Sequence, residues 1–157
     1  MLSARLMQRV EQNWERIASA VIEQSRRDTH IRHYACLDEA EIRARAQDVI
    51  GNLGRWLSRP DEAELRHRYR DLGWRRREEG FPLEEVIYKL QTIEWKIVQY
   101  VQDENPPENS VQLYSELEMS RVLHRFFGIV VHSVVCGYQR GRELPLAKPS
   151  ARQLEVV

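Results

Sequence analysis

Apolar residues recur at every third or fourth position along most of this chain, which is the spacing of one face of an amphipathic helix. No stretch alternates as a strand would, so the pattern predicts an all-α fold, a five-helix bundle with a long C-terminal helix. The predicted helices run from about Ser3 to Ser25, Asp38 to Leu57, Asp61 to Glu79, Pro82 to Glu104, and Ser110 to Arg142.

Local signals mark where these helices begin and end. The third and fourth helices meet at the corner Gly80-Phe81-Pro82. Glycine suits the left-handed position just past a helix end, and proline suits the first helical position, whose N–H has no partner within the helix. Asp38, followed three residues later by Glu41, predicts a capped start for the second helix.

The fifth predicted helix changes character along its length. It is amphipathic up to Arg121, but from Val122 to Tyr138 apolar residues point in every direction. A helix that is apolar all round must be buried all round. Two arrangements satisfy this: a central core helix, or a helix packed against its own core and a second subunit. The residues predicted to form such a dimer interface are Val122, Phe126, Ile129 and Val130.

One glutamate, Glu94, falls within the apolar arc of the fourth helix. A buried carboxylate needs a partner, and the candidates are Arg76, Arg121, His124 and His132. The pair would fix the register of two helices or would line a ligand pocket or switch. The predicted pocket comprises Glu94, His124, His132, Phe126 and Phe127.

Charge and composition set limits on function. Lys+Arg and Asp+Glu are equal at 24 each, so no net charge favours nucleic acid or an anionic membrane. The longest apolar run, Phe126 to Tyr138, is too short to span a bilayer. No secretory signal is visible, and Cys36 and Cys136 fit reduced, buried or half-buried thiols. We therefore expect a cytoplasmic protein without nucleic-acid or membrane partners.

Signatures of catalysis and of metal sites are missing from the sequence. There is no phosphate-binding glycine loop, zinc-protease motif or nucleophile elbow, so we do not expect an enzyme. His30 and His33 stand in a polar stretch without partners at ligand spacing, so no metal is expected. No cofactor is expected either; a haem bound by His124 or His132 remains an alternative.

The stretch from Tyr69 to Tyr88, with its arginine-rich helix, its glycine–hydrophobe–proline corner and the glutamate-bearing helix that follows, resembles a known family. This is the N-terminal domain of the RsbR-type stressosome co-antagonists (RsbRD N-terminal domain), and related input domains precede some bacterial kinases and regulators. The resemblance implies a dimeric bacterial sensor of the stress response, non-haem globin-like in some relatives. It also implies a regulatory protein partner or a fused output domain.

Together these observations predict a signal-transduction input domain over residues 1–144 and a linker or flexible tail over residues 145–157. Ligand or partner binding would change helix packing, and the fifth helix would relay that change. Two alternatives stay open. One is a globin-like sensor of haem or a small molecule, and the other is a nucleic-acid-binding helical protein that uses the arginines between Arg66 and Arg77.

Overall fold

The structure, a computed structural model, describes residues 2–104 and 106–141. These residues form helices and no strand, which confirms the predicted all-α bundle. The helices are α1 (Leu2–Gln12), α2 (Trp14–Arg27), α3 (Arg32–Ala35), α4 (Glu39–Ser58), α5 (Glu62–Glu78), α6 (Leu83–Glu104) and α7 (Ser110–Arg140). The predicted tail lies outside the described residues.

The first predicted helix is divided in two at Asn13. The backbone of Asn13 leaves helical geometry, with φ −114° and ψ 22°, and its side-chain Nδ2 donates to the carbonyl of Arg9 at 2.8 Å. Asparagine breaks helices in this way because its amide competes for backbone partners. Both parts keep the predicted apolar stripe, since Val10 in α1 and Ile17 in α2 are buried in the core.

The predicted helix boundaries follow the expected chemistry. Asp38 accepts a hydrogen bond from the backbone N of Glu41 at 2.7 Å, and Gly80 adopts φ 83°. At this corner the backbone N of Phe81 donates to the carbonyl of Arg76, and that of Gly80 donates to the carbonyl of Arg77, both at 3.0 Å. This pair of bonds is the Schellman ending of a helix.

The centre of the fold is the pair α5 and α7, whose backbones touch. A Cβ atom added at Gly137 would lie 1.9 Å from the carbonyl oxygen of Arg70, and one added at Gly73 would lie 2.2 Å from that of Val134. Only glycine permits this approach. Around the contact, Phe126, Val130 and Val134 are fully enclosed by their own chain.

The polar stretch between α2 and α4 leaves its two histidines exposed but packs other side chains against the rest of the fold. Its short helix α3 buries Tyr34 against Phe81, with ring centroids 4.6 Å apart. Each of its two histidines has a carboxylate partner, because His30 contacts Asp28 and His33 contacts Glu85. Tyr88 donates to Asp28 at 2.6 Å, and this hydrogen bond is the largest of the effects that lower the pKa of Asp28 to about 2.

Candidate functional site

Glu94 has one of the partners expected for it. Its Oε1 lies 3.4 Å from Nδ1 of His124, so α6 and α7 are linked at this point. The contact is at the surface, because the side chain of His124 is 87% exposed and that of Glu94 is 23% exposed. The pair is therefore not the buried ion pair that the sequence suggested, and exposed pairs contribute only about 0–1 kcal/mol.

The structure does not bring the five predicted pocket residues together. His132 is exposed and lies 3.2 Å from Nη1 of Arg66, while Phe126 and Phe127 pack edge to face in the core with ring centroids 5.2 Å apart. The two histidines proposed as haem ligands are thus on the outer surface of α7, whereas the phenylalanines face inward. The five residues thus form a surface pair (Glu94 and His124), a surface histidine (His132) and a core aromatic pair (Phe126 and Phe127).

The surface predicted for a dimer is also largely enclosed by its own chain. Phe126 and Val130 have no exposed surface, Ile129 is buried, and Val122 is half-buried. Because α5 packs tightly against this half of α7, no second subunit is needed to cover these side chains. The all-round apolar pattern arises from central burial, the first of the two arrangements considered from the sequence.

The sequence analysis missed an apolar surface at the start of α7. Four large side chains there are exposed, although the helix up to Arg121 looked simply amphipathic. On a helical projection they spread over roughly 160°, an arc that they share with the polar residues Ser110, Glu118 and Arg121, whereas the buried Ser115 and Met119 lie outside it. They are Val111, Leu113, Tyr114 and Leu117. We call these four residues the α7 entry patch. Clustered exposed apolar residues commonly mark interaction sites.

A second missed feature is a cavity of about 370 Å³ between α4, α5 and α6, with Tyr34 of α3 in its lining. We call it the α4–α6 cavity. Part of its wall is apolar, formed by Ile42, Val49, Leu72, Val86, Leu90 and Ile93. The same lining contains the basic residues Arg45, Arg75, Arg76 and Lys89 and the acidic residues Glu41, Asp48 and Glu79.

Lys89 is the unusual member of this lining. It is only 4% exposed, and its Nζ makes a short hydrogen bond to the hydroxyl of Ser25. No carboxylate of the described residues lies within ion-pair distance of it. Burial, with a smaller effect from nearby Arg45, lowers the pKa of Lys89 from 10.5 to about 8. Lysine is rarely buried without an ionic partner, and a perturbed pKa in a concave site marks a candidate functional residue.

Arg45 and Arg76 are partly neutralised in the same cavity. Arg45 donates to Glu41 at 2.9 Å and to Glu79 at 3.3 Å, but its Nη1 is buried and has no hydrogen-bond partner among the described residues. Arg76 bonds to both carboxylate oxygens of Glu79 at 3.1 Å. Burial raises the pKa of Tyr34, and the charges of Arg76 and Arg45 oppose that rise.

One signal in the sequence could have identified Lys89. It lies three residues after Val86 and four before Ile93, in the inward arc of α6, and it is one of only three lysines in the chain. The other arginines of α5 behave as expected of a solvated face. Arg66 and Arg68 each pair with a glutamate four residues earlier, at 2.7 Å and 3.2 Å.

Three other patterns bear on the described residues: those of a metal site, a buried thiol and a membrane-spanning helix. Among residues 2–104 and 106–141, no three His, Cys, Asp or Glu side chains converge as metal ligands would. Cys36 is exposed rather than buried. By length and composition α7 could cross a membrane, but a core helix of a water-soluble domain passes the same test, and 44% of its most apolar part is buried in the fold.

Comparison with known proteins gives one match. The model of a family described as the RsbT co-antagonist protein rsbRD N-terminal domain matches residues 15–152, which is most of the chain. No curated protein and no solved structure matches. The resemblance drawn from the stretch around the Gly80 corner is therefore confirmed over a much longer region.

Proposed function

The chain belongs to the family of RsbT co-antagonist rsbRD N-terminal domains, and from this premise we propose that it is the dimeric input domain of a cytoplasmic bacterial stress-signalling assembly. Membership of the family supports a regulatory, stressosome-type role for the domain. The proposal adds three elements to that role: a second copy of the chain, a change in helix packing, and α7 as the element that relays it.

The architecture of α7 is the observation that carries this proposal. The helix has 31 residues, which corresponds to a length of roughly 46 Å. Its first turns carry the α7 entry patch, and its second half is fixed to α5 through Gly73 and Gly137. A displacement applied at the patch would therefore move a rigid helix whose other end lies at Arg140.

We assign the α7 entry patch, rather than the enclosed residues predicted from the sequence, as the surface that a second copy covers. Tyr114 is 76% exposed and Val111 is 63% exposed, which are large values for side chains of this size. Twofold pairing places the same patch on both partners, so a self-complementary apolar surface suffices. The partner of the assembly would be an RsbT-type regulator, as the family's description implies.

A stress-responsive transcriptional reporter in the native cell tests this function. We expect the variant Tyr114→Ser/Leu117→Ser, introduced into the natural gene, to remove the reporter's response to stress. Glu118→Ser, an exposed change beside the patch, is the matched control and should leave the response intact. An unchanged response in the double variant would contradict the proposal.

A further inference from the structure

We propose that the α4–α6 cavity binds a small organic monocarboxylate with a compact apolar body, whose carboxylate group is held by Lys89 and Arg45. Binding of such a compound is independent of the function proposed above. Its use as the signal that changes helix packing rests on that function.

Two cationic side chains of the lining have hydrogen-bond donors that no acceptor satisfies among the described residues. The ammonium group of Lys89 can donate three hydrogen bonds, and the described residues provide a single acceptor, the hydroxyl of Ser25. Nη1 of Arg45, in the same lining, has no acceptor among the residues that the structure describes. A carboxylate supplies two oxygens and a negative charge, and bonds to ionised groups are about twice as strong as neutral ones. An anion thus satisfies both cationic side chains at once.

The acidic residues of the lining set the charge of the ligand. Glu41 and Glu79 already pair with Arg45 and Arg76, and Asp48 adds a third carboxylate nearby. A phosphate ester or another dianion would be repelled by these groups. A monoanion needs only the positive charge that Lys89 leaves uncompensated.

The volume of the cavity and its apolar wall limit the size and polarity of the uncharged part of the ligand. A space of about 370 Å³ is near the lower end of ligand pockets, which range over roughly 300–1,000 Å³. Ile42, Val49 and Leu90 line it and can cover a short aliphatic chain or a single ring. A compact carboxylate matches both parts of the lining, whereas a sugar or an inorganic ion would leave the apolar wall unused.

The position of the cavity connects it to α7. Leu72 and Arg76 of α5 line the cavity, and Gly73 between them contacts the backbone of α7 at Val134. A ligand that shifts α5 must also shift α7, because their backbones leave no space between them. The coupling is physically contiguous.

Calorimetric titration of the full purified chain with hexanoate and with benzoate tests the proposal. The neutral counterparts hexanamide and benzamide are the reference compounds. We expect at least one carboxylate to bind at millimolar concentration and its amide to bind at least about tenfold more weakly, because the amide lacks the charge.

Variants identify the residue responsible. Lys89→Met keeps an unbranched side chain that is one atom shorter and removes its charge, so the dissociation constant for the carboxylate should rise at least about tenfold. Lys96→Met, a change at another lysine of the same helix, should leave it unchanged. Ala44 is exposed at the lining, so Ala44→Glu should weaken binding and Ala44→Arg should not. This pair decides the matter if Lys89→Met fails to fold.

Three results would overturn the assignment: neither carboxylate binds, the amides bind equally well, or Lys89→Met and Ala44→Glu bind as the wild type does. The stress reporter separates this outcome from the wider function. Loss of binding in Lys89→Met with an intact reporter response would keep the site and remove its role as the signal. Absence of carboxylate binding, with the response still dependent on the α7 entry patch, would remove the binding site and leave the proposed input function intact.

Discussion

The two halves of α7 are both rich in apolar residues, yet the structure treats them in opposite ways. From Met119 to Val134 most of the apolar side chains are buried, Val122 and Val131 are half-buried, and α5 approaches so closely near the end of the helix that only glycine fits at Gly137. From Val111 to Leu117 large apolar side chains face outward. The half predicted to need a second subunit is mostly covered by its own chain, and the half predicted to be simply amphipathic exposes large apolar side chains.

The difference shows that apolar content does not reveal which element covers a side chain. The sequence places Phe126 and Leu117 on the same helix with the same preference for burial. Their burial differs because α5 packs beside Phe126 and does not cover Leu117. Which of the two side chains is covered depends on the packing of segments that lie far away in the sequence.

Truncating a side chain in each half should produce the largest contrast. We expect Phe126→Ala to lower the free energy of unfolding by about 3–5 kcal/mol, because it leaves a cavity in a fully buried aromatic pair. Leu117→Ala should change it by no more than about 0.5 kcal/mol in the monomer. Denaturant unfolding at low protein concentration measures both. Similar losses at the two positions would contradict the comparison.

Two glycines within the second half sharpen the same contrast. Gly137→Ala should cost about 2–3 kcal/mol, since its new methyl group would collide with the backbone of Arg70. Gly128 is exposed and has open space around it, so Gly128→Ala should instead stabilise by about 0.5–1 kcal/mol through helix propensity. The thermal unfolding temperatures of the two variants should therefore shift in opposite directions, and a Gly137→Ala variant as stable as the wild type would refute close α5–α7 contact.

Lys89 extends the contrast to a charged side chain that is buried without a carboxylate partner among the described residues. Its folded-state pKa of about 8 lies below 10.5, so the unfolded chain binds more protons between these values and stability rises with pH across this interval. We expect a gain of about 1–3 kcal/mol between pH 7.5 and 10, measured by denaturant unfolding. Lys89→Met should be more stable than the wild type at pH 7.5 and lose this rise. If the free energy of unfolding changed with pH in the same way for the wild type and for Lys89→Met, burial of the Lys89 ammonium would not be costly and the account would be wrong.

The smallest effect is expected for the Glu94–His124 pair. Both side chains reach solvent, so a double-mutant cycle of Glu94→Gln and His124→Gln should give a coupling below about 1 kcal/mol. A coupling above about 2 kcal/mol would restore the buried pair expected from the sequence.

Much of the fold was predictable because it rests on local chemistry. The long helices follow from apolar periodicity, the cap at Asp38 from its carboxylate, and the corner from the left-handed preference of Gly80. The break at Asn13 was missed because the apolar stripe continues through it. The docking of Tyr34 was missed because its partner, Phe81, lies far away in sequence.

The candidate sites were less predictable than the fold. Glu94 and Lys89 both interrupt the inward arc of α6, and the sequence analysis chose the glutamate. The structure leaves Glu94 partly exposed and buries Lys89. In a helix at the edge of a bundle, one side of the apolar arc faces solvent and the other side faces the core. Which side that is depends on how α6 is rotated against its neighbours, and periodicity alone does not fix this rotation.

Light scattering of the purified chain at micromolar concentration tests the central claim, that the α7 entry patch is covered by a second copy. The wild type should have twice the chain mass of 18.7 kDa. Tyr114→Ser/Leu117→Ser should be a folded monomer of 18.7 kDa, and Glu118→Ser should remain a dimer. A monomeric wild type, or a dimer that survives the double change, would contradict the account.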